Sequence, residues 1–413
     1  STLLASSAAS DVYKRQNQSC YPIFLKWYLL EFLPAAEEKY GLEIRYLVLL
    51  FAIRLYLFLL LIMKPILPLL LRRSLLASLL VPIISLSFSA SAADFMVDAS
   101  QYSDPNNNIY STLEELVSSV ALVAGDTVIL NNDDASLTTG LTVPVNFRSA
   151  DPAALCAVDL SGLGKNPLYN LGAGEYTLEM DSVIWSNGAA GVIRTADDNV
   201  SLEITGEVQF LNNHVDNSNN SAYGGAIDME GDHATLTLGN NVTFSGNYAS
   251  SDSYSISTSS GGAIYMQGVN SFLTICNGAI FTNNYSSTYG GAIYLQGITT
   301  DNSSRFLAFT HDVLFSGNMT GGTFTQHNDG SFSVVNGVAN AIHVDGTNHL
   351  QLAAAQGKEV RFNDPITSAA YFSSTENVTL SLNQYTDDDG ISHTTDGTVI
   401  FSGELYQGDD AHL

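Results

Sequence analysis

The sequence predicts an all-β fold, a parallel β-helix (solenoid) with a short capping helix at its N-terminal end. The tetrapeptide GGAI occurs three times, at Gly224–Ile227, Gly261–Ile264 and Gly290–Ile293. The pattern Phe-x-x-Asn alternates with it, and its phenylalanines are spaced 34, 37 and 34 residues apart, at Phe210, Phe244, Phe281 and Phe315. Self-similarity at a fixed period indicates stacked units rather than one globular core.

The repeat over residues 261–289 shows why each unit is expected to be a coil of three strands. GGAIYM opens the first strand, FLTI forms the second, and AIFTNN forms the third before the polar loop YSSTY. Alternation at period two places one set of side chains inward. The predicted inward pairs are Ile264/Met266, Phe272/Thr274 and Ala279/Phe281. Strands this short need to pair in parallel with their equivalents one coil away, at about 4.8 Å.

The repeated residues are predicted to be structural. The glycine pairs permit positive φ or a close backbone approach, the phenylalanines stack inside, and each asparagine bonds the turn backbone and its equivalent in the next coil. Ligand binding is the less favoured alternative, because stacking already explains residues that recur in every unit. The predicted motif residues are Phe210, Asn213, Gly224, Gly225, Phe244, Asn247, Gly261, Gly262, Phe281, Asn284, Gly290, Gly291, Phe315 and Asn318.

The repeats become irregular towards both ends. Upstream, Trp185 stands where a phenylalanine is expected; downstream, NAIHV (340–344) replaces GGAI and RFNDPI (361–366) replaces Phe-x-x-Asn. Near residue 111, Ser-Thr-Leu-Glu reads as a capping box that opens a helix, with Leu113, Leu116, Val117 and Val120 on one face. We expect this helix to cover the end of the solenoid, which is otherwise an unpaired sheet edge.

The N-terminal region precedes the predicted fold. Residues 1–62 carry no repeat signal, and they are either a non-native or upstream leader or, over Leu42–Met63, an apolar helix long enough to span a membrane. Residues 63–92 are predicted to be a signal peptide: Lys64, Arg72 and Arg73 precede an apolar stretch, and Ala90-Ser91-Ala92 gives the cleavage site. The arginine pair raises a twin-arginine signal as an alternative. The sequence therefore predicts export.

Charge is divided unevenly along the 413 residues. Residues 1–92 hold 9 of the 15 Lys+Arg and 5 of the 41 Asp+Glu, which leaves 6 − 36 = −30 for residues 93–413. A domain this acidic repels phosphate backbones, so nucleic acid is not an expected partner. Cys156 and Cys276 are 120 residues apart with no metal-ligand spacing. They are expected to be small apolar side chains, with a disulfide between coils as the alternative.

The alternating GGAI and Phe-x-x-Asn motifs resemble those of the chlamydial polymorphic outer membrane proteins. The segment RFNDPI…VTLSLN…DGTVIFSGE (361–404) is similar to the region that follows the repeats in that family. The resemblance covers roughly residues 200–405, and more weakly 100–200. It implies a type V secreted (autotransporter), right-handed parallel β-helix displayed at the outer membrane or cell surface of a Gram-negative bacterium, or secreted, with adhesion as the usual role.

The chain departs from the family in having few repeats and in lacking the alternating amphipathic strands of a C-terminal barrel. We therefore expect a product truncated before a translocator barrel that would anchor it in the outer membrane, with a shorter protein without any anchor as the alternative. The domain organisation predicted for the exported part is an N-terminal cap with irregular coils (93–200), the repeat β-helix (201–336) and irregular C-terminal coils (337–413).

Catalysis is weighed against this because some right-handed β-helices cleave polysaccharides. The basic residues after the cleavage site are six in number and far apart: Arg148, Lys165, Arg194, Arg305, Lys358 and Arg361. Asp387-Asp388-Asp389-Gly390 lacks the alternating spacing of a calcium loop and is expected to be a solvated turn. The pairs Asp133-Asp134 and Asp197-Asp198 are expected to lie in loops, and the histidines show no ligand set. We expect no enzyme, and no catalytic, cofactor-binding or metal-binding residue.

The function that the sequence favours is that of an adhesin-like passenger. It would bind a protein or glycan on a host or neighbouring cell through loops between coils, chiefly the polar insertions at 248–260 and 319–331. The alternatives are a polysaccharide-active β-helix enzyme of the pectate-lyase type and a purely structural surface spacer.

Overall fold

The structure, a computed structural model, describes residues 92–131, 135–216, 221–251, 259–296, 303–327, 331–346, 348–369, 378–402, 405–407 and 411–412. The predicted leader and, apart from Ala92, the predicted signal peptide lie outside these residues. Within the described ranges, no helix is long and apolar enough to cross a membrane.

Three long sheets, whose main strands pair in parallel, run through the described residues. In stacking order, sheet 1 contains Ile109–Tyr110, Asp94–Val97, Thr127–Leu130, Asn146–Ser149, Gly174–Asp181, Val200–Thr205, Thr235–Leu238, Phe272–Ile275, Ser304–Ala308, Asn348–Ala354 and Val378–Leu382. Sheet 2 contains Ala135–Ser136, Cys156–Asp159, Val183–Ser186, Val208–Leu211, Val242–Ser245, Ile280–Thr282, Val313–Ser316, Glu359–Phe362 and Thr398–Phe401. Sheet 3 contains Tyr169–Asn170, Ile193–Thr195, Ile227–Met229, Ile264–Gln267, Ile293–Gln296, Ile342–Asp345, Ile366–Ala369, Leu405–Gln407 and Ala411–His412.

Smaller elements lie at the corners. Sheet 4 contains His214–Asp216, Tyr248–Ser250, Tyr285–Ser286, Met319–Thr320 and Val338–Ala339. Three two-stranded ribbons pair Ala222–Tyr223 with Ser259–Ser260, Thr323–Gln326 with Phe332–Val335, and Gln384–Thr386 with Ser392–Thr394. The helix is Leu113–Ser119, and the 3₁₀ turns are Pro105–Asn107 and Ser161–Leu163.

The chain winds through these sheets in a constant order, which confirms the predicted parallel β-helix. One coil passes from Val200–Thr205 in sheet 1 to Val208–Leu211 in sheet 2, then through sheet 4 to Ile227–Met229 in sheet 3. The next coil starts at Thr235 and repeats the path. The loop after AIFTNN, expected to be irregular, contains the sheet 4 strand Tyr285–Ser286.

The inward residues follow the predicted alternation in two of the three strands of the repeat. Ile264, Met266 and Phe281 belong to the core, but in FLTI the prediction was wrong: Leu273 and Ile275 point inward, and Phe272 lies outside. Thr274 on the outer face is also buried, at 6% exposure. Because other parts of the chain cover the outer face of sheet 1 here, burial alone does not show which side is the core.

The N-terminal helix covers the end of the stack as predicted, with its cap one residue later than expected. Thr112 is the N-cap and its hydroxyl accepts from the amide of Glu115, while Glu114 accepts from the amide of Thr138. Leu113 and Leu116 are buried in the core, and Val117 and Val120 pack partly against it.

We expect Phe281→Ala to lower the free energy of unfolding by about 3–5 kcal/mol, because Phe281 is fully buried between two other rings and its loss leaves a cavity. Tyr102→Ala removes a ring that is 99% exposed and should change stability by less than about 0.5 kcal/mol. Chemical denaturation measures both. Equal midpoints for the two variants would contradict the assigned core.

Candidate functional site

The phenylalanines of the repeat form one continuous column inside the solenoid. Successive ring centroids are 4.8, 4.9, 4.6, 4.8 and 5.5 Å apart, and the interplanar angles do not exceed 13°. The column contains Phe210, Phe244, Phe281, Phe315, Phe362 and Phe401. Trp185 pairs in register with Phe210, and Phe362 pairs with Phe315, so both irregular repeats keep the position that the sequence assigned to them.

The asparagines form a second column, made of buried side-chain amides. The Oδ1 atom of Asn284 accepts hydrogen bonds from the backbone N–H of Asn247 at 3.0 Å and from its Nδ2 at 3.0 Å. The Nδ2 of Asn284 also donates to the carbonyl of Phe244 in the preceding coil, at 3.0 Å. The same two bonds to Oδ1 link Asn213 to Asn247 and Asn284 to Asn318. The Nδ2 atoms of Asn213, Asn247 and Asn318 likewise donate to the carbonyls of Trp185, Phe210 and Phe281.

Asp364 ends this column. Its Oδ2 accepts from the backbone N–H and the Nδ2 of Asn318, both at 2.8 Å, and its Oδ1 accepts from the N–H of Gly317 at 3.0 Å. The column therefore leaves no buried amide group without a partner, which matters because each unsatisfied buried group costs about 1–3 kcal/mol. These side chains are occupied by the fold and are not free to bind a ligand.

The glycine pairs fill two steric roles at the entry to sheet 3. The first glycine of each pair has positive φ: 55° at Gly224, 68° at Gly261 and 63° at Gly290. The second has no room for a side chain, since a Cβ on Gly262 would lie 2.0 Å from the carbonyl oxygen of Gly291. Gly225 and Gly291 are equally crowded. All fourteen predicted motif residues thus lie within the stacked framework.

The length of the connections varies most at one corner. In the four coils that begin at Val200, Thr235, Phe272 and Ser304, the turns from sheet 1 to sheet 2 have two to four residues, from 206–207 to 309–312. In the same coils the connections from sheet 2 to sheet 3 have 10 residues (283–292) to 25 residues (317–341), and sheet 4 lies within them. We call this the variable corner. Both insertions predicted to bind a partner, 248–260 and 319–331, lie here.

The described parts of these insertions include β-strands. The first begins with the buried strand Tyr248–Ser250 and ends with the buried strand Ser259–Ser260; residues 252–258 lie outside the described ranges. Most of the second lies in the antiparallel hairpin Thr323–Val335, whose Phe324 and Phe332 rings pack on Tyr248 and Tyr285. No local sequence pattern predicts this packing, because Tyr248 and Tyr285 belong to earlier coils than the hairpin.

An aromatic stack also runs along the outside of sheet 3. The ring centroids of Tyr223, Tyr265, Tyr294 and His343 follow one another at 4.3, 5.1 and 5.7 Å. Burial raises the pKa of Tyr265 and Tyr294 and lowers that of His343 to about 4. The repeated pentapeptide GGAIY was an available sequence signal for the two tyrosines.

An acidic pair lies beside this stack. Asp228 is 7% exposed, and its Oδ2 lies 3.4 Å from the Nε of Arg194, whose Nη2 is 3.3 Å from Glu230. Burial, followed by the charge of Glu230, raises the pKa of Asp228 well above its usual range despite Arg194. Arg194 and Glu230 form a structural ion pair on the outer face, with the carboxyl group of Asp228 beside it.

The turn Asp387–Gly390, expected to be solvated, is the tip of a hairpin held against sheet 1. The guanidinium of Arg305 is 2.5 Å from Asp388 and 3.1 Å from the carbonyl of Thr386, and it lies over the Phe272 ring. The carboxylate of Asp387 accepts from His393 and from the N–H of Ile391, which lowers its pKa. The turn is exposed, but the carboxylates of Asp387 and Asp388 are held by these contacts.

The other predicted features have simple outcomes. Cys156 and Cys276 are free thiols, so the alternative of a disulfide between them is not formed. Asp197 and Asp198 lie in a turn and accept backbone N–H groups from neighbouring coils. Asp133 and Asp134 lie outside the described residues. In the part of the chain that the structure describes, no three His, Cys, Asp or Glu side chains are grouped to hold a metal ion.

Comparison with known proteins identifies the repeat. Residues 241–267 and 278–296 match the Chlamydia polymorphic membrane protein repeat. The two matches contain the Phe-x-x-Asn motifs of Phe244 and Phe281 and the GGAI motifs that begin at Gly261 and Gly290. No curated protein matches the chain. No solved structure matches it either.

We expect Asn284→Asp to destabilise the protein by about 3 kcal/mol or more at neutral pH, since a carboxylate there faces the Phe244 carbonyl and the Asn318 Oδ1. Protonation restores one donor, so the loss should shrink as pH falls towards about 4. Denaturation at both pH values measures this, with Asn170→Asp on an exposed strand position as the control. A loss of stability that does not depend on pH would contradict the hydrogen-bonded column of asparagines.

We expect the protein to lose stability as pH falls from 6.5 towards 4 through His343. Burial lowers the pKa of this side chain from 6.5 to about 4, so in that window the unfolded chain binds the proton more tightly. The contribution is on the order of 2–3 kcal/mol near pH 4. His343→Gln should flatten this part of the pH–stability curve, whereas the exposed His327→Gln should not. Identical curves for the two variants would refute the assignment.

Proposed function

We propose that this chain, which carries repeats of the Chlamydia polymorphic membrane protein type, is the surface-exposed passenger of an autotransporter and binds a partner on another cell. The repeat family supports a place at the outer membrane or cell surface. Export through the signal peptide at residues 63–92 and secretion by the type V route are parts of the same proposal.

The observation that carries the binding role is the concentration of variable connections at one corner. In the four coils that begin at Val200, Thr235, Phe272 and Ser304, the other connections have only two to seven residues, and the buried columns inside leave little room for change. In a rigid repeat scaffold, insertions that accumulate on one face are typical of a binding surface. We therefore place the adhesive surface at the variable corner, with a host or neighbouring-cell protein or glycan as its partner.

Charge restricts the choice of partner. Residues 93–413 carry a formal net charge of −30. Approach to nucleic acid or to strongly anionic lipid is electrostatically unfavourable, particularly at low salt. We therefore propose that the partner is a neutral or basic component of a cell surface and not a nucleic acid.

We further propose that the protein is not an enzyme. Four of its six basic side chains after residue 92 are in ion pairs that support the coils: Arg148, Arg194, Arg305 and Arg361. Charged groups held in this way are poorly placed to act on a substrate.

Replacing residues 252–258 of the variable corner with a Gly/Ser segment of equal length should reduce binding of the purified protein to epithelial cells at least fivefold. The matched control replaces residues 297–302, which connect sheet 3 to sheet 1 at another corner. Flow cytometry with labelled protein measures both. Equal binding by the two variants and the parent would remove the basis for the variable corner as the adhesive surface.

A further inference from the structure

The hairpin Thr323–Val335 is attached to the solenoid by two glycine-containing joints. Its two strands pair over four residue pairs. It leaves the solenoid through Gly321–Gly322 and returns through Asn336–Gly337, and three of these four residues have positive φ (63°, 77° and 59°). A two-stranded hairpin is at best marginally stable alone. Its position therefore depends on what its side chains contact.

Two phenylalanine rings provide most of that contact. The Phe324 centroid lies 4.8 Å from those of both Tyr248 and Tyr285, and Phe332 lies 5.4 and 5.8 Å from the same two rings. The other strand residues are mostly exposed. The described residues contain no ion pair between the hairpin and the solenoid. The hairpin is therefore held against the solenoid mainly by apolar contact, with few polar interactions.

The surface beneath the hairpin has polar atoms that this contact does not satisfy. Tyr248 is fully buried, and its hydroxyl has no hydrogen-bond partner among the described residues. The ring of His214 stacks on Tyr248 at 4.8 Å, and its Nδ1 is buried. By contrast, the hydroxyls of Tyr265 and Tyr294 outside sheet 3 reach Gln267 and Asp345.

A phenylalanine matches the aromatic surface but cannot match these polar atoms. The group that satisfies both has an apolar C–H face to stack on tyrosine and hydroxyls at its edge. A pyranose ring has this chemistry. Asp216 lies close enough for its charge to act on both Tyr248 and His214. That negative charge disfavours an anionic sugar.

We propose that Tyr248, Tyr285 and His214 form a binding subsite for a neutral pyranose, and that the hairpin is a displaceable cover whose Phe324 occupies it. This inference rests on the proposed surface-binding function and names its ligand class. The open fraction of the hairpin sets the apparent affinity, because a closed subsite binds nothing. Each unsatisfied buried polar group lowers the cost of opening.

The decisive variant removes the cover. Thr323 and Val335 are directly paired, so residues 323–335 can be excised from the full chain by joining Gly322 to Asn336. We expect at least tenfold tighter binding of one or more of cellotriose, maltotriose and triacetylchitotriose than in the parent, by calorimetry, and no gain for sialyllactose. A folded excision variant that gains no neutral sugar binding, or that prefers sialyllactose, would overturn the proposal.

Two variants that each remove one hydroxyl test whether the sugar binds at the subsite or at any surface that the excision exposes. In the excised protein, Tyr248→Phe should abolish the gain, whereas Tyr285→Phe should retain it. In the uncut protein, Tyr248→Phe should raise the thermal midpoint, because it removes an unsatisfied buried hydroxyl. A lower midpoint would count against the proposal. Phe324→Ser, which weakens the cover without deletion, should give a smaller gain of the same kind if the excised chain does not fold.

The two proposals fail separately. If the parent binds cells through residues 252–258 and the folded excision variant gains no sugar binding, the subsite is wrong and the adhesive corner stands. If neither form binds cells but the excised form binds neutral sugars, the subsite stands and the adhesive role is wrong.

Discussion

A buried asparagine amide in each of four successive coils is the constraint on which the register of the repeat region depends. Parallel strands can exchange backbone hydrogen bonds at more than one register, and side chains decide between them. A slip by one residue would turn the Phe column outward. A slip by two would keep apolar residues inside, but it would separate the Nδ2 of each Asn from the carbonyl of the preceding Phe. The asparagines therefore exclude a two-residue shift of register that hydrophobic burial alone would permit.

The same logic explains why Asp364 replaces an asparagine at the end of the column. Each amide in the chain gives hydrogen bonds to the next coil's oxygen, so the last member must accept without having to donate. A carboxylate has two acceptor oxygens and no donor, and both oxygens of Asp364 are used. The departure of RFNDPI from Phe-x-x-Asn is therefore explained by the position of Asp364 at the end of the column, where only acceptors are needed.

The sequence predicted the interior of the molecule well because the interior is periodic. Phe, Asn and Gly-Gly recur at a spacing that only stacking explains, and even Trp185 and Phe362 take the expected register. The exterior was predicted poorly because it is built from single contacts between distant segments. Arg305 and Asp388 are 83 residues apart, and their pairing helps bury the outer face of FLTI. No local pattern marks such a contact.

The sequence of the hairpin resembles the start of a coil, but the chain that follows it is too short to complete one. Gly321-Gly322, Ser331-Phe332 and Asn336-Gly337 repeat the order of Gly261-Gly262, Ser271-Phe272 and Asn277-Gly278, so the segment reads like the start of another coil. A complete coil would also need a sheet 2 strand before the chain re-enters sheet 3 at Ile342. Residues 338–341 are too few to provide it and then return through sheet 4. The strands pair with each other instead, and their aromatic side chains cover the tyrosines of earlier coils. An incomplete repeat thereby becomes an external element that the register of the interior does not fix, which is why the variable corner can change without disturbing the ladders beneath it.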